Sequence, residues 1–248
     1  MDRIAIFAAL HWECRPVLRH LRQVARQRVG GFTAWHGATR CCEVVLVKTG
    51  MGITQAAAAA QTIRDSSDGA LFVSTGCAGA LAAELMPGDV VLATTVVRGD
   101  SAGAFVTDPE QRERAQRAAA REVLRVVSGP VLCSPEALMT AEHKRAAAAR
   151  YGAVAVEMEG TAVAREAARR GIPFISVRAI LDTADTELQH AGKFIEPQTG
   201  AVRPLALAGY VATHPSVIAE LVAMQRMMRA AQASLERFFG AWFHTLDS

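Results

Sequence analysis

Short apolar runs, many of them β-branched, alternate along this chain with Ala-rich segments that have the composition of helices. The clearest unit predicts a strand over Ala153–Glu157, a helix over Gly160–Arg170 and a second strand over Phe174–Ile180. Gly171 and Pro173 follow the helix, where such residues end one. A strand–helix–strand unit of this length is typical of two parallel strands in an α/β fold.

The same alternation runs through the rest of the chain. Further strands are predicted at Ile4–Leu10, Gly30–His36, Cys42–Lys48, Ala70–Ser74, Val90–Val97 and Pro130–Cys133. Further helices are predicted from Pro16 to about Arg28, over Ile53–Arg64, Glu110–Val127 and Ala141–Tyr151, and from Pro204 to Phe243 with a break at Pro215. With no linker or repeat in the pattern, we expect one α/β domain, 1–248, whose mixed central sheet is flanked by helices, with 201–248 as a helical C-terminal extension.

Composition and charge narrow the classes of partner. The chain has 248 residues, of which 51% are hydrophobic, and its 27 basic and 24 acidic side chains leave a net charge of +3. This near balance gives no electrostatic case for nucleic acid. Five cysteines without a CxxC pair predict neither a disulfide framework nor a metal site, and they suit a reducing, cytoplasmic location. The N-terminal residues lack the pattern of a signal peptide, and no apolar run reaches the roughly 18 residues of a membrane span.

Carboxylates follow both strands of the clearest unit. Glu157, Glu159 and Asp182 should gather at the carboxyl edge of the sheet, where open α/β sheets bind ligands. Acids in such places usually cap helices or pair with arginines. Here the flanking runs are apolar, so at least one acid should be partly buried, and burial raises the pKa of a carboxyl group. A carboxyl group that stays protonated in this way can act as a general acid.

Two further features lie where strands end. Glu13 stands between the end of the first strand and the start of the first helix, where an acid also interacts favourably with the helix dipole. The glycine-containing segments Thr49–Gly52 and Thr75–Leu81 follow strands, and their N–H groups can bind an anion or a sugar oxygen. Tight turns explain such glycines equally well, so neither feature identifies a site alone.

Together these segments resemble a known family. The sequences VEMEGTAVA at 156–164 and PFISVRAILDTAD at 173–185 are similar to the signature of the nucleoside phosphorylase and nucleosidase superfamily, which includes the purine and uridine phosphorylases. The likeness is greatest to its methylthioadenosine and adenosylhomocysteine nucleosidases. AALHWE at 8–13, TGMG at 49–52 and TGCAGAL at 75–81 follow in the family's order and spacing. The resemblance implies the phosphorylase-type fold, a homodimer or higher homo-oligomer, and a small nucleoside as ligand without a cofactor.

The resemblance also implies a role for each matching residue. Asp182 corresponds to the acid that protonates the purine. Glu159 corresponds to the carboxylate that holds the ribose hydroxyls, and Glu13 to the group that activates the attacking water. The other residues expected to contact the substrate are Met158, which packs on the sugar, and Glu157, Gly76, Cys77, Leu138 and Met139.

Three positions depart from the family pattern. Cys77 stands where the family usually has Ser, and its thiol is a poorer hydrogen-bond partner than a hydroxyl. Leu181 replaces the Ser that often precedes the acid, which leaves Asp182 with one local donor fewer. Leu138 takes the place of a Phe that stacks on the base, so the base would meet an aliphatic surface. Alternatively, Leu138 and Met139 simply cover the core.

The substrate depends on the C-terminal region. The segment HPSVIAELVAMQRMMRAAQASL at 214–235 resembles hopanoid-associated phosphorylases, which implies removal of adenine from adenosylhopane in hopanoid biosynthesis. The alternatives are a methylthioadenosine or adenosylhomocysteine nucleosidase and a non-catalytic nucleoside-binding protein. The nucleophile is also open. Glu13 favours water because a carboxylate repels a phosphate dianion, whereas Arg15 or Arg98 could bind phosphate as a co-substrate.

Aromatic and basic residues are concentrated near the C-terminus. Phe238, Phe239, Trp242 and Phe243 lie in one short segment with arginines nearby. An amphipathic helix of this composition can lie in a membrane interface, which would add a peripheral membrane contact to the cytoplasmic location. Alternatively, these aromatic side chains pack on the core or on a subunit interface.

Overall fold

The computed structural model describes residues 3–63, 70–100, 103–187 and 217–246. The strands in these ranges are Arg3–Ala8 (β1), Arg22–Val29 (β2), Phe32–Ala38 (β3), Glu43–Lys48 (β4), Ala70–Ala80 (β5), Val90–Arg98 (β6), Ala104–Val106 (β7), Val126–Cys133 (β8), Ala155–Glu157 (β9) and Phe174–Asp182 (β10). The helices are His11–Leu18 (α1), Ile53–Thr62 (α2), Pro109–Ala120 (α3), Ala141–Tyr151 (α4), Gly160–Arg170 (α5) and Val217–Leu246 (α6).

All the strands join one mixed sheet, which confirms the predicted fold class. Its order is β10-β6-β8-β9-β5-β1-β4-β3-β2, with β7 paired to β6. β10 also pairs with β5, so five strands close into a ring and the others continue from it. Side chains of α1, α3 and α6 fill the core on one face of the sheet, and those of α2 and α5 fill it on the other.

The predicted parallel pairing of the strands around α5 is wrong. β9 and β10 do not pair with each other, and they run in opposite directions because β5 pairs with β9 antiparallel and with β10 parallel. Their ends nevertheless meet, since Gly79 of β5 is the register partner of both Val156 and Asp182. The acids therefore gather through the shared strand β5 and not through a parallel pair.

Two helix predictions run too far. The helix expected from Pro16 to about Arg28 is α1, which begins earlier, contains Pro16 and ends at Leu18. The following residues form β2, an edge strand with almost all its side chains exposed, which is held by pairing with β3. The helix expected over Glu110–Val127 ends at Ala120, and β8 begins at Val126. α4 and α5 have the predicted bounds.

The C-terminal aromatic residues belong to the core. Phe238, Phe239 and Trp242 are 0% exposed and Phe243 is 3% exposed, and their rings pack against one another. They therefore follow the packing alternative and offer no surface to a lipid interface. Among the helices in the described ranges, none is long and apolar enough to cross a membrane. The predicted break at Pro215 lies outside the described residues.

Candidate active site

A cavity of about 210 Å³ lies where β1, β5, β9 and β10 end. The predicted site residues on its wall are Glu13, Cys77, Leu138, Met139, Glu157, Met158, Glu159 and Asp182. The remaining predicted site residue, Gly76, is not on the wall but lies directly beside Glu13. A larger groove of about 950 Å³ between β2–β4 and α2 contains none of these residues. The chemistry is therefore concentrated in the smaller cavity.

Glu13 is held in place by backbone groups on two sides. Its Oε2 accepts a hydrogen bond from the N–H of Leu10 at 2.9 Å, as expected of an acid in the first turn of a helix. Its Oε1 accepts from the N–H of Cys77 on β5 at 2.8 Å. Burial raises the pKa of Glu13, while these two N–H groups and Arg178 oppose the rise. The geometry thus fixes a buried carboxyl group at the cavity wall.

Arg178 is a buried cation that we did not predict as part of the site. It lies on β10, and its Nη2 donates to Oε2 of Glu157 and to Oγ of Ser74, both at 2.5 Å. A charged residue inside the apolar run FISVRAIL was the sequence signal for it, because a buried arginine requires a carboxylate partner. Gly76 makes room for this arrangement, since a Cβ there would lie 2.7 Å from Oε1 of Glu13 and 3.0 Å from Nη1 of Arg178.

Glu157, the last residue of β9, and Glu159, which precedes α5, have different surroundings. Glu157 accepts from the N–H groups of Glu159 at 2.9 Å and Gly160 at 2.7 Å in addition to Arg178, so its carboxylate is fully engaged. Glu159 accepts from the N–H of Gly52 at 2.7 Å through Oε1, while Oε2 receives no hydrogen bond from the described residues. Burial, followed by the charge of Glu157, raises the pKa of Glu159 to about 8.

Asp182 is buried at the end of β10 beside a lysine that the sequence did not indicate. Nζ of Lys144, on α4, donates to Oδ2 of Asp182 and to the backbone carbonyls of Thr183 and Thr186. Burial raises the pKa of Asp182, and the hydrogen bond and charge of Lys144 lower it again. On an Ala-rich helix a lysine normally belongs to a solvated face, so no sequence signal distinguished Lys144 from its neighbours.

The rest of the cavity wall is mainly apolar. Leu10, Trp12 and Met51 lie on the side of Glu13, and Leu138, Met139, Met158 and Leu181 lie on the side of Asp182. Leu138 also packs on the hydrophobic cluster beneath α4, so it covers the core as well as lining the cavity, and its contact with a base stays a prediction. Burial raises the pKa of the Cys77 thiol well above its ordinary value, which keeps the thiol neutral.

Neither arginine considered for phosphate reaches the cavity. Arg15 is exposed on α1 and is absent from the cavity wall. Arg98 forms a fork with Asp100, with hydrogen bonds of 2.7 and 2.8 Å. Arg178, the buried arginine nearby, is committed to Glu157 and Ser74. Among the described residues, the cavity therefore presents carboxyl groups and apolar side chains to a ligand.

A family model described as the phosphorylase superfamily matches residues 3–212. This chain belongs to the phosphorylase superfamily. Its fold is similar to that of the 5′-methylthioadenosine/S-adenosylhomocysteine nucleosidase of Neisseria meningitidis, with a TM-score of 0.77 at 23% identity over 99% of this chain and 100% of the other. The corresponding nucleosidase of Colwellia psychrerythraea 34H, in complex with adenine, is similar with a TM-score of 0.77 and 20% identity, over 99% of this chain and 96% of the other. Futalosine hydrolase of Helicobacter pylori is similar with a TM-score of 0.72 and 18% identity, over 96% of this chain and 97% of the other.

Within this phosphorylase-superfamily enzyme the cavity brings together groups with complementary abilities. Asp182 can hold a proton next to a cation, Glu159 has one oxygen free to accept, and Glu13 is a fixed carboxyl group on the neighbouring wall. An ionised carboxylate accepts hydrogen bonds only, whereas a protonated one can donate. The arrangement can therefore supply a proton at one point, bind hydroxyl groups at a second and take a proton at a third.

Proposed function

We propose that this protein cleaves the N-glycosidic bond of a 5′-substituted adenine nucleoside and releases adenine. The observation that carries the proposal is the convergence of Glu13, Glu159 and Asp182 on one cavity of about 210 Å³. Cleavage of a purine from ribose leaves an oxocarbenium-like sugar and a poor anionic leaving group. It therefore needs a proton donor at the base, a hold on the sugar and a nucleophile at the anomeric carbon.

Each of these needs is assigned to one carboxyl group. Asp182 gives its proton to the purine as the bond breaks. Glu159, fixed through Gly52, accepts hydrogen bonds from the ribose hydroxyls, and Met158 packs on the sugar. Glu13 takes a proton from the attacking water, since both of its oxygens are oriented by backbone N–H groups.

The proposed nucleophile is water. A carboxylate on the cavity wall would repel a phosphate dianion, and Glu13, Glu157 and Glu159 all lie on that wall. Among the described residues no arginine lines the cavity to offset that repulsion, and Arg178, the buried arginine nearby, is engaged by Glu157. Phosphate as co-substrate is the alternative, and it predicts a ribose 1-phosphate product instead of a free sugar.

The apolar wall favours an apolar 5′ substituent. We take adenosylhopane as the leading substrate, on the resemblance of residues 214–235 to the hopanoid-associated phosphorylases and on the side chains of Leu10, Met51 and Leu181 at the cavity. The second candidate is methylthioadenosine or adenosylhomocysteine. It is favoured by the Neisseria neighbour, which bears the name of a nucleosidase for both compounds and aligns over nearly the whole of both chains.

A non-catalytic nucleoside-binding protein is the third candidate, from another class. Binding alone does not require a carboxyl group at the base and another beside the anomeric carbon, so the convergence of Glu13 and Asp182 argues for catalysis. The expected homodimer or higher oligomer and the division of the chain at residue 201 stay predictions.

One assay separates these candidates. The purified protein is given adenosine, methylthioadenosine, adenosylhomocysteine and adenosylhopane, each with and without phosphate, and adenine and the sugar product are quantified. We expect adenine release without phosphate and the highest kcat/KM for the most apolar 5′ substituent. Strict dependence on phosphate, with ribose 1-phosphate formed, would refute hydrolysis. Tight binding without any adenine would refute catalysis, and preference for methylthioadenosine would move the substrate to the second candidate.

A further inference from the structure

A buried lysine contacts the carboxyl group that the proposed reaction uses as its acid. The side chain of Lys144 is 1% exposed. Its Nζ donates to Oδ2 of Asp182, to the carbonyl of Thr183 at 2.8 Å and to the carbonyl of Thr186 at 2.9 Å. The three N–H groups of an ammonium ion are thereby all used. Such complete satisfaction of a buried cation indicates a defined role and not an accident of packing.

The two carbonyl contacts fix the ammonium group independently of Asp182. Both carbonyls belong to the turn that follows β10, which is closed by a hydrogen bond of 2.8 Å between the hydroxyls of Thr183 and Thr186. Lys144 therefore meets Asp182 from a fixed direction and engages Oδ2. The carboxyl group is thereby oriented, and Oδ1, which receives no hydrogen bond from the described residues, can face a ligand.

Burial and Lys144 act on Asp182 in opposite directions. Burial raises the pKa of the carboxyl group, and the hydrogen bond and charge of Lys144 lower it. Without the cation, burial would raise the pKa of the carboxyl group unopposed and make its proton harder to release. Acid catalysis is most effective when the pKa of the donor lies near the working pH.

We propose that Lys144 is a positioning residue for the acid, which orients Asp182 through Oδ2 and stabilises the carboxylate that remains after the proton has left. This inference rests on the proposed cleavage of a nucleoside. In that step the proton passes from Oδ1 of Asp182 to a ring nitrogen of the base, and the electron pair of the glycosidic bond passes to the base. The new carboxylate pairs with the ammonium group of Lys144 until solvent returns a proton.

Other charged or titratable groups lie around the same cavity. Among the described residues they are Glu13 on α1, Cys77 on β5, Glu136 after β8, Glu157 at the end of β9, Glu159 before α5, Arg178 on β10, and Arg145 with Asp185 at the surface. Arg178 is bound to Glu157, and Arg145 lies 3.5 Å from Asp185. Lys144 is the described cation whose charge acts on the pKa of Asp182.

The test is the titration of Asp182 itself in protein labelled at the aspartate carboxyl carbons with ¹³C, with Asp182→Asn used to assign the signal. In Lys144→Met the NMR midpoint should move upward by about 1–3 pH units, the usual effect of one contacting opposite charge. In Lys144→Arg, which keeps the charge, it should stay near the wild-type value. Arg145→Met is the matched control, since it removes an exposed cation from the same helix, and it should leave the Asp182 midpoint unchanged.

Adenine release provides the second measurement. In Lys144→Met the high-pH limb of the kcat/KM profile should move to higher pH together with the NMR midpoint, and kcat should fall at every pH. If Lys144 had a purely structural role, its substitution would lower the rate without moving that limb. If Lys144→Met does not fold, Lys144→Gln gives the same test, because it keeps N–H donors and loses the charge.

The outcomes are distinguishable. An unchanged NMR midpoint in the neutral variant, or a Lys144→Arg protein that behaves like Lys144→Met, overturns the role of Lys144. A wild-type protein that shows the expected midpoints but releases no adenine from any nucleoside overturns the proposed function, while the control of Asp182 by Lys144 stands.

Discussion

Gly76→Ala should damage the site by steric contact with the buried Glu13. Gly76 has φ +144°, and a Cβ there would lie 2.7 Å from Oε1 of Glu13 and 3.0 Å from Nη1 of Arg178. Ordinary non-bonded contacts begin at about 3.5 Å, so the carboxyl group would have to move by about 0.8 Å. Glu13 cannot make that movement freely, because the N–H groups of Leu10 and Cys77 hold its two oxygens.

The size of the effect follows from two contributions. A non-glycine residue in the left-handed region costs about 1–3 kcal/mol. Overpacking of a filled interior costs about another 1–3 kcal/mol. The free energy of unfolding of Gly76→Ala should therefore fall by about 2–6 kcal/mol. Because a misplacement of 1 Å near the reacting atoms can cost about 100-fold in rate, we expect kcat/KM to fall by about 10- to 100-fold.

Urea unfolding and adenine release measure the two effects. Gly31→Ala is the matched control, since Gly31 has φ +90° and nothing within 4 Å of an added Cβ. It should show the backbone cost alone and leave adenine release unchanged. The difference in stability between the two variants isolates the contact with Glu13 and Arg178.

A double-mutant cycle decides whether the contact is the cause. If the Cβ presses on Glu13, then Gly76→Ala should cost less stability in a Glu13→Ala background than in the wild type. Equal costs in the two backgrounds would refute the steric argument, as would a Gly76→Ala protein no less stable than Gly31→Ala.

Three further predictions concern the acid, the sugar site and the C-terminal helix. Asp182→Asn should lower kcat by about 10²- to 10⁴-fold with the fold intact, whereas Asp185→Asn, an exposed neighbour, should leave kcat unchanged. Near-normal turnover of Asp182→Asn would rule out its role. Because the pKa of Glu159 is about 8 in the folded protein against an ordinary 4.5, the folded state binds that proton more tightly and the wild type should lose stability as pH rises from about 4.5 to 8. The urea midpoint of Glu159→Gln should fall less over that range, and parallel curves would contradict the shift. Trp242→Ala should lower the free energy of unfolding by about 3–5 kcal/mol, because its buried ring would leave a cavity. Truncation of the chain before Trp242 should unfold the protein. A stable, active truncated chain would show that the aromatic cluster is not part of the core.

The bounds of an element are best predicted from the sequence when capping residues mark both of its ends. α4 has Thr140 as its N-cap, with the hydroxyl accepting from the N–H of His143, and Gly152 in the left-handed conformation at its end. Both signals are local, so the predicted bounds match. β2 has no such signal. Its Arg- and Gln-rich sequence suits a helix by propensity, and pairing with β3 decides its conformation.

Within the site the sequence predicted the acids but not their partners. Glu13, Glu159 and Asp182 each end a strand or begin a helix, and such positions can be read from local pattern and family likeness. Lys144 and Arg178 act through contacts with residues 38 and 21 positions away in the chain. Nothing in a single sequence pairs residues over such distances, since the pairing depends on the ring that β5 closes with β9 and β10.

These two cations help to explain how Glu13, Glu157, Glu159 and Asp182 can share one small cavity. Four ionised carboxylates in contact would repel one another, so their surroundings must hold them in different states. Glu157 is matched by Arg178 and Asp182 by Lys144, whereas among the described residues Glu13 accepts hydrogen bonds from two backbone N–H groups and Glu159 from one. The pKa of Glu159 is accordingly raised to about 8, and that of Glu13 is also raised. In the proposed reaction Glu13 and Glu159, which have no such cation partner among the described residues, meet the water and the sugar, and Asp182, with Lys144 beside it, meets the base.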